Sequence, residues 1–341
     1  MKHAFYMQRC IDLASNGAGN VAPNPMVGAV LVLHDKIIGE GYHQKIGGAH
    51  AEVNAVASVS NKKMLAHCTL YVSLEPCNHF GKTPPCTDLI LKYKIPKVVI
   101  GSLDPNPLVA GAGIKRLKAA GVEVLSGILR EECEELNKRF FYYHEHKLPY
   151  VILKWAQSGD GFIGDAKQGN IAISNAFSQQ LVHKWRSEES AILVGTTTAR
   201  LDNPSLTVRN FAGKNPLRLV IDWENKLPDN LKLFDQSNPT LVFTRKHKPS
   251  KTNMEYVVLK KSKSDLRNLL EHLAKKSINS VFVEGGAKLL QSFIDEGLWN
   301  EARVFTSSNN LQKGVKAPII RGKKVKEVMI KNDTLVFLKN Q

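Results

Sequence analysis

The most constraining feature of this 341-residue chain is a set of metal-binding residue types between positions 50 and 86. His50 is followed by Glu52, and the segment from Glu75 to Cys86 reads EPCNHFGKTPPC, which places a second cysteine at Cys77. An imidazole and two thiols provide three ligands for a tetrahedral zinc ion and leave a fourth position for water, as catalytic zinc sites do. The chain must therefore adopt a fold that brings the histidine segment against both cysteines.

The charge balance of such a site gives Glu52 a role. Two thiolates cancel the formal double positive charge of zinc, so the ion is a weaker Lewis acid than one held by three neutral histidines. A general base is then needed to take a proton from the water, and the same group can return it to a ring nitrogen and to departing ammonia. This combination is typical of hydrolytic deamination of a base.

Spacing predicts where these residues lie in the fold. The histidine and the glutamate are two positions apart, and such residues diverge by about 200° on a regular helix. They therefore predict a loop-to-helix junction, with a helix over Ala51 to Val59. The run Thr69 to Ser73 predicts a buried strand that ends before Cys77. Two prolines precede Cys86 and predict the start of a helix.

Other uses of these residues remain open. A purely structural zinc site would have a fourth protein ligand, for which His79 is available. A zinc-stabilised interaction protein without activity is a further alternative. Cys10, Cys68 and Cys133 have no motif around them and are interpreted as packing residues.

Length and composition limit the number of domains, the location of the protein and the kind of partner it binds. A chain of 341 residues predicts two domains. No apolar stretch long enough to span a membrane occurs, and the N-terminus lacks an apolar targeting core, so we expect a cytoplasmic protein. Five cysteines, with two assigned to metal, argue against a disulfide framework. The formal net charge of +16 suggests phosphate-bearing partners.

A domain boundary is predicted near Lys147, giving domains at 1–146 and 147–341. The run Glu131 to Phe141 reads as the helix that closes the first domain. Strands alternate with helical stretches in this half, which predicts an α/β sandwich around one sheet. The predicted strands are Val27 to Leu33, Ile37 to Tyr42, Thr69 to Ser73, Lys97 to Gly101 and Val122 to Leu125.

The second half repeats the α/β alternation. Its strands are predicted at Tyr150 to Trp155, Ala191 to Gly195, Leu217 to Asp222, Thr240 to Phe243, Tyr256 to Leu259 and Ser280 to Glu284. Its helices are predicted at Ala176 to Ser187, Ser264 to Lys275 and Ala287 to Glu296. A glycine pair, Gly285-Gly286, joins the last strand to the last helix, and such a junction can expose backbone N–H groups to an anion or be a plain tight turn.

These motifs resemble those of a known family. The zinc segment, with Asn24-Pro25 before it and the segment Asp104 to Gly111 (DPNPLVAG) after it, resembles the bifunctional deaminase/reductase of bacterial riboflavin biosynthesis. Eight residues separate the two cysteines, where related nucleoside and transfer-RNA deaminases usually have two. The resemblance continues through nearly the whole chain.

The resemblance implies two consecutive reactions and two folds. A cytidine-deaminase-like three-layer α/β/α domain would deaminate a phosphoribosylamino-pyrimidinone, using one zinc ion. A dihydrofolate-reductase-like α/β domain would then use NADPH to reduce the ribosyl group to ribityl. The implied deaminase residues are the zinc ligands His50, Cys77 and Cys86, the acid/base Glu52, and the substrate pocket residues Asn24, His43, His79, Lys82, Asp104 and Asn106.

In the reductase half, the resemblance implies a coenzyme site and a substrate site. Coenzyme contacts are assigned to Ala156, Thr198, Asp202, Gly285 and Gly286, and substrate contacts to Arg186, Leu206, Arg209 and Glu284. The chain reads Asn170-Ile171-Ala172-Ile173-Ser174 where the family commonly has a tryptophan followed by isoleucine and threonine, and Ala172 cannot stack as an indole does. It also has Trp223 where a smaller polar residue is frequent. Asp160 and Glu284 are candidate proton donors for the reduction.

Expected partners follow from the same resemblance. The substrate is a small phosphorylated pyrimidine, with neither nucleic acid nor membrane as partner, and we expect a homo-oligomer. A nucleic-acid base deaminase with a C-terminal RNA-binding domain is the alternative, because it would share the zinc chemistry and suit the positive charge. An aromatic content of 7% and the long loop between the cysteines favour the small substrate.

Overall fold

The computed structural model describes residues 2–80, 84–106, 110–165 and 171–341. The chain forms two compact units, Met1–Lys147 and Leu148–Gln341. Within the described residues, no helix is both long enough and apolar enough to cross a bilayer.

The first unit is built on a five-stranded mixed sheet with the strand order β2-β1-β3-β4-β5. Strand β1 is antiparallel to both of its neighbours, and β3, β4 and β5 are parallel. The strands are β1 (Gly28–Leu33), β2 (Lys36–Tyr42), β3 (Thr69–Leu74), β4 (Lys97–Ser102) and β5 (Glu123–Ser126).

Helices cover both faces of this sheet. They are α1 (Lys2–Ser15), α2 (Ala51–Ser58), α3 (Cys86–Lys92), α4 (Ala112–Ala119), α5 (Arg130–Leu136) and α6 (Lys138–His146). On one face, Val30 and Val32 of β1 pack with α1 and with Cys133 of α5. On the other face, Ala29 and Leu31 pack with residues of α2, α3 and α4. Because both faces are buried, β1 reads as a continuous apolar run, and the three-layer α/β/α fold is confirmed.

The predicted closing helix over 131–141 is wrong in one respect, since the structure has two helices that meet at Asn137. The side chain of Asn137 donates to the carbonyl oxygen of Met26 and accepts from its N–H, both at 2.8 Å. An asparagine amide that pairs with a distant backbone competes with helical geometry. A contact made 111 residues away cannot be read from the local pattern.

The second unit contains a nine-stranded sheet with the order β10-β9-β8-β7-β11-β6-β12-β14-β13. The first seven strands in this order, β10 through to β12, are all parallel to one another. The last two, β14 and β13, add an antiparallel hairpin at the edge next to β12. They are β6 (Tyr150–Gln157), β7 (Ala191–Val194), β8 (Leu217–Ile221), β9 (Thr240–Thr244), β10 (Met254–Val258), β11 (Ser280–Gly285), β12 (Glu301–Ser307), β13 (Lys323–Ile330) and β14 (Asp333–Lys339).

Four α-helices of this unit are described. They are α7 (Ala176–Glu188), α8 (Thr196–Asp202), α9 (Asp265–Lys275) and α10 (Ala287–Asp295). Central strands such as β7 are buried along their whole length, as parallel strands covered by helices on both faces must be. The carboxyl ends of β6, β7 and β11 therefore lie at one edge of the sheet, where ligands of open α/β sheets bind.

Candidate active sites

Three metal-binding side chains meet at the carboxyl edge of the first sheet. His50 occupies the position before α2 in an extended conformation, Cys77 follows β3, and Cys86 is the first residue of α3. Their ligand atoms all lie within 4.8 Å of one another. The Nδ1 atom of His50 is 3.3 Å from the Sγ atom of Cys86 and 3.5 Å from that of Cys77. A tetrahedral zinc ion requires nitrogen-to-sulfur separations of about 3.6 Å, so this donor set fits zinc.

The two cysteines are tied to each other by the backbone. The Cys86 N–H donates to the Cys77 sulfur at 3.3 Å, and the Thr87 N–H donates to the Cys77 carbonyl oxygen at 3.2 Å. Hydrogen bonds from the Cys86 side chain and from His50 lower the pKa of Cys77 to about 4. This sulfur is consequently a thiolate at neutral pH, the form that binds metal.

Glu52 lies in the first turn of α2 and is only 4% exposed. Burial, and then the charge of Cys77, raise the pKa of its carboxyl group. The carboxyl also interacts with the Cys86 side chain. The residue predicted as acid/base therefore lies against the metal-binding cluster and away from bulk solvent.

Two predicted pocket residues lie on the histidine side of the cluster. The Asn24 amide is 3.3 Å from Nε2 of His43, and Nδ1 of His43 bonds to the Ala49 carbonyl oxygen at 3.0 Å. The rings of His43 and His50 are 5.7 Å apart and nearly perpendicular. Burial lowers the pKa of His43, so its ring is neutral at pH 7.

Two further pocket residues, Asp104 and Asn106, follow β4. Asp104 is 9% exposed and accepts a hydrogen bond of 2.8 Å from the Asn106 N–H. Burial raises the pKa of Asp104 to about 6, with smaller charge effects from Glu75, His79 and Cys77. His79 is exposed, and the metal-binding group formed by the described residues does not include it. Lys82 lies outside the residues that the structure describes.

Glu75 is a buried residue whose role the sequence reasoning missed. Its carboxylate accepts hydrogen bonds from four backbone N–H groups, those of Asp104 (3.4 Å), Gly111 (3.0 Å), Gly113 (3.1 Å) and Ile114 (3.3 Å). It thereby fixes the strand end before Cys77 against the loop that carries Asp104 and against the start of α4. A glutamate directly after an apolar strand was the available signal.

In the second unit, the glycine pair and Thr198 meet at the carboxyl edge of the sheet. The Gly195 N–H donates to the Gly285 carbonyl oxygen at 2.9 Å. A Cβ atom added to Gly286 would lie 2.8 Å from the Thr198 hydroxyl oxygen, so a side chain at position 286 would force Thr198 to move. Ala156 lies near the end of β6, the strand next to β11. Asp202 ends α8, and burial raises its pKa.

Arg186 and Glu284 form a buried pair. Two parallel hydrogen bonds of 2.6 and 2.7 Å join them, and their side chains are 12% and 9% exposed. Burial alone would raise the pKa of Glu284, but Arg186 and Lys154 outweigh burial and lower it to about 2. Arg186 also donates to the Thr207 carbonyl oxygen at 3.1 Å. It is therefore a paired interior cation and not the surface cation that its residue type alone suggests.

Lys154 also belongs to this cluster and was not predicted. It interacts with the charges of Glu284 and Arg186, and burial lowers its pKa. A lysine inside the apolar strand YVILKWAQ is the signal that could have identified it. His183 is adjacent: its Nδ1 accepts from the Arg209 N–H at 3.2 Å, and burial, Arg186 and Arg209 lower its pKa to about 4.

The remaining predicted residues surround this cluster. Leu206 is 2% exposed, and the exposed Arg209 guanidinium donates to the hydroxyl groups of Ser205 and Thr207. The two predicted proton donors, Glu284 and Asp160, are both ionised at neutral pH. Glu284 is ionised, and hydrogen bonds from Ser158 and from two backbone N–H groups lower the pKa of Asp160.

The positions that depart from the family pattern are only partly described. Ala172 is exposed, and Asn170 lies outside the described residues. The Arg245 guanidinium lies 4.2 Å from the centre of the Trp223 ring. The tryptophan is thus part of a cation–π pair beyond β8.

The fold and the two sites define a class of protein. The first unit has three metal-binding side chains beside a buried glutamate, as a deaminase does. The second unit has a largely parallel sheet with the glycine pair Gly285-Gly286 at its carboxyl edge, and the chain is thus a deaminase fused to a reductase. Residues 1–102 match the family model described as the cytidine and deoxycytidylate deaminase zinc-binding region, and residues 149–329 match the RibD C-terminal domain.

Whole-length comparisons agree with this class. The riboflavin biosynthesis protein RibD of Aquifex aeolicus is 40% identical over 317 residues, which cover 91% of this chain and 88% of that protein. A solved deaminase/reductase of Thermotoga maritima has 36% identity and a TM-score of 0.92, with 100% of this chain and 99% of that chain covered. Acinetobacter baumannii RibD has 32% identity and a TM-score of 0.90, with the same coverage.

The chain therefore belongs to the RibD family of bifunctional riboflavin biosynthesis proteins. The predicted family and the predicted pair of folds are confirmed. The RNA-binding alternative is not favoured, because the second half matches the RibD C-terminal domain.

Proposed function

We propose that this chain catalyses two consecutive steps, with residues 1–146 responsible for the first and 147–341 for the second. The first step deaminates 2,5-diamino-6-ribosylamino-4(3H)-pyrimidinone 5′-phosphate to the corresponding uracil. The second reduces the ribosyl group to ribityl with NADPH. The observation that carries the proposal is the trio His50, Cys77 and Cys86 beside the buried Glu52.

In the deaminase step, the trio would hold zinc and Glu52 would move protons. Bound zinc would lower the pKa of a water molecule and so supply the nucleophile for hydrolysis. Glu52 would accept the proton of that water and deliver it to the ring nitrogen and then to the departing amine. Because its carboxyl group is buried, the proton would stay in the site during the reaction and not exchange with solvent.

The residues around the trio would bind the pyrimidine and its phosphate. The neutral His43 would hold the Asn24 side chain in place, and Asn24 would offer its second amide hydrogen and its oxygen to the ring. Asp104 would accept a hydrogen bond from an amino group of the pyrimidine, with Asn106 beside it. His79, and Lys82 on the same loop, would neutralise the phosphate.

In the reductase step, NADPH would bind along the carboxyl edge of the second sheet. The absence of a side chain at Gly286, together with the backbone N–H groups at the start of α10, suits a phosphate group. Thr198, Asp202 and Ala156 would line the nicotinamide half. Bound NADPH would supply the hydride.

The buried cluster would hold the open-chain sugar and supply the proton. Arg186 keeps Glu284 ionised and oriented, so that this carboxylate can accept from sugar hydroxyl groups. Lys154 carries donor protons next to Glu284. When hydride adds to the carbon of the C=N bond, Lys154 would donate a proton to the nitrogen, which gives the secondary amine. Leu206 and Arg209 would contact the remainder of the substrate.

Two variants test the two halves separately. Purified protein is incubated with the pyrimidine substrate, with and without NADPH, while ammonia release and absorbance at the NADPH band are followed. Glu52→Gln should lower ammonia release by roughly 10² to 10⁴ and still reduce the deaminated intermediate. Lys154→Met should release ammonia normally and oxidise NADPH slowly. Normal ammonia release by the Glu52 variant would disprove the assigned role.

The proposal extends to the setting of the enzyme. We propose a homo-oligomeric, cytoplasmic enzyme that acts on a small molecule without nucleic acid or membrane. Light scattering on a size-exclusion column tests the oligomeric state. A strongly salt-dependent association with transfer RNA would contradict the assigned substrate class.

A further inference from the structure

One side chain of α4 contacts the residue that follows each cysteine ligand. The Nη1 atom of Arg116 donates to the Asn78 side-chain oxygen at 2.9 Å and to the Thr87 hydroxyl oxygen at 3.1 Å. Asn78 follows Cys77, and Thr87 follows Cys86. A single guanidinium therefore connects the two thiol-bearing segments.

The contacted residues also bond to each other. The Thr87 hydroxyl donates to the Asn78 side-chain oxygen at 2.9 Å, and the Thr87 side chain is fully buried. Arg116 also pairs with Asp88, one residue further along α3. This carboxylate balances the charge of the arginine, so the effect of Arg116 on the thiols is geometric and not a matter of net charge.

The opposite end of α4 is held to the same segment. Glu75 lies two residues before Cys77 and accepts from the N–H groups of Gly113 and Ile114 in the first turn of α4. The cysteine segment is therefore bound to α4 on both sides, by Glu75 before the thiol and by Asn78 after it. Because a helix is rigid over such a short distance, α4 fixes the position of this segment.

Zinc chemistry makes such a support necessary. Ligand distances in zinc sites are held to within about 0.2 Å, whereas eight residues separate the two cysteines. In an unfolded chain, ligands separated by this many residues sample many conformations, and bringing them together costs free energy. Partners outside the ligand shell that fix ligands in place typically contribute about 10-fold to 100-fold in metal affinity.

From these contacts we propose that Arg116 is a positioning residue that keeps Cys77 and Cys86 at the separation that zinc requires. The inference rests on the proposed zinc-dependent function of the first unit. It adds a residue that touches neither metal nor substrate and yet determines how firmly the metal is held.

Zinc retention by the full-length holoenzyme tests the proposal. Zinc transfer to a chromogenic chelator is timed for the wild type, Arg116→Gln, Arg116→Lys and Lys118→Gln. Arg116→Gln should release zinc roughly 10-fold to 100-fold faster. Arg116→Lys keeps a cation that can pair with Asp88 but loses the guanidinium group that reaches several partners at once. Its rate of zinc release should be intermediate. Lys118→Gln removes the same charge from an exposed position of the same helix and should behave as wild type.

A second variant separates positioning from general destabilisation. Asn78→Ala removes the hydrogen bonds that the Asn78 side chain accepts from Arg116 and from Thr87, and it should also accelerate zinc release. Combined with Arg116→Gln, it should add little, because both changes break one connection. NADPH oxidation with the deaminated intermediate reports that the second unit is intact in every variant.

The possible results distinguish the two proposals. If the wild type retains no zinc, the proposed function fails. If the wild type retains zinc and Arg116→Gln releases it at the wild-type rate, the positioning role alone is overturned. Additive effects of Arg116→Gln and Asn78→Ala would also overturn it, since independent sites add.

Discussion

Replacement of Arg186 by glutamine should destabilise the second unit by about 3 kcal/mol. Arg186 is the largest influence that lowers the pKa of Glu284 from 4.5 to about 2. At roughly 1.4 kcal/mol per pKa unit, this displacement corresponds to about 3 kcal/mol. Removal of one partner of a buried ion pair costs about 3 to 5 kcal/mol, which agrees in size.

The pH dependence has a definite sign. Because the pKa of Glu284 is lower in the folded state, its contribution to stability is fully present above pH 4.5 and is lost as the pH falls towards 2. The difference between wild type and Arg186→Gln should therefore be complete at pH 7 and shrink below pH 4.5. A loss of about 3 kcal/mol corresponds to a decrease in Tm of roughly 6 to 12 °C for a unit of this size.

Tryptophan fluorescence can measure this change selectively. All four tryptophans, at positions 155, 185, 223 and 299, lie in the second unit. Unfolding by guanidinium, followed at the tryptophan emission, should show the lower midpoint at pH 7. Arg200→Gln, at an exposed position, is the control and should change stability by less than about 0.5 kcal/mol. The double variant Arg186→Gln/Glu284→Gln should lose less than the sum of the singles. An unchanged midpoint for Arg186→Gln, or strict additivity, would refute the reasoning.

Three further outcomes are expected. Asp104→Asn should stabilise the first unit by about 3 kcal/mol at pH 8, because the pKa of Asp104 is raised from 3.8 to about 6 in the folded state and stability is lost as the pH rises between these values. Calorimetry from pH 4.5 to 8 should show the advantage growing up to about pH 6, and deamination should fall. Gly286→Ala should weaken NADPH binding, because its Cβ would lie 2.8 Å from the Thr198 hydroxyl oxygen. The double variant Gly286→Ala/Thr198→Ala should recover part of the NADPH affinity, which is measured by fluorescence titration. Removal of zinc by a chelator should stop ammonia release and leave reduction of the deaminated intermediate intact; equal loss of both activities would contradict the division of labour between the units.

The strands with uninterrupted apolar sequence were predicted well from the chain alone. Strands β1 and β7, and β4 after its first residue Lys97, are buried on both faces, so their residues are apolar or small and the run is visible locally. The metal-binding residues could be proposed for a related reason, because zinc accepts few residue types and the chemistry needs a carboxylate nearby. The structure places all four side chains together.

Segments that combine charge with burial were missed. Strand β12 contains Glu301 and Arg303, which look unsuitable for a core, yet they pair at 2.6 Å and each side chain is 6% exposed. Lys154 was overlooked for the same reason, since the groups that make its burial tolerable lie on other strands and helices. Strand β13 is largely exposed and exists because it pairs with β14. The partners of Lys154 are distant in sequence, so no local pattern could reveal them. The pair Glu301–Arg303 and the β13–β14 hairpin are local, but their charged residues interrupt the apolar patterns that indicate strands.

The four hydrogen bonds to Glu75 have a consequence for redesign of the enzyme. The same carboxylate anchors the segment that leads to Cys77 and the loop that carries Asp104. Engineering of that loop for a different pyrimidine would therefore disturb metal loading as well as selectivity. A library that varies the loop must keep both the glutamate and backbone N–H groups that reach it, or its members will be limited by zinc content before substrate choice can be compared.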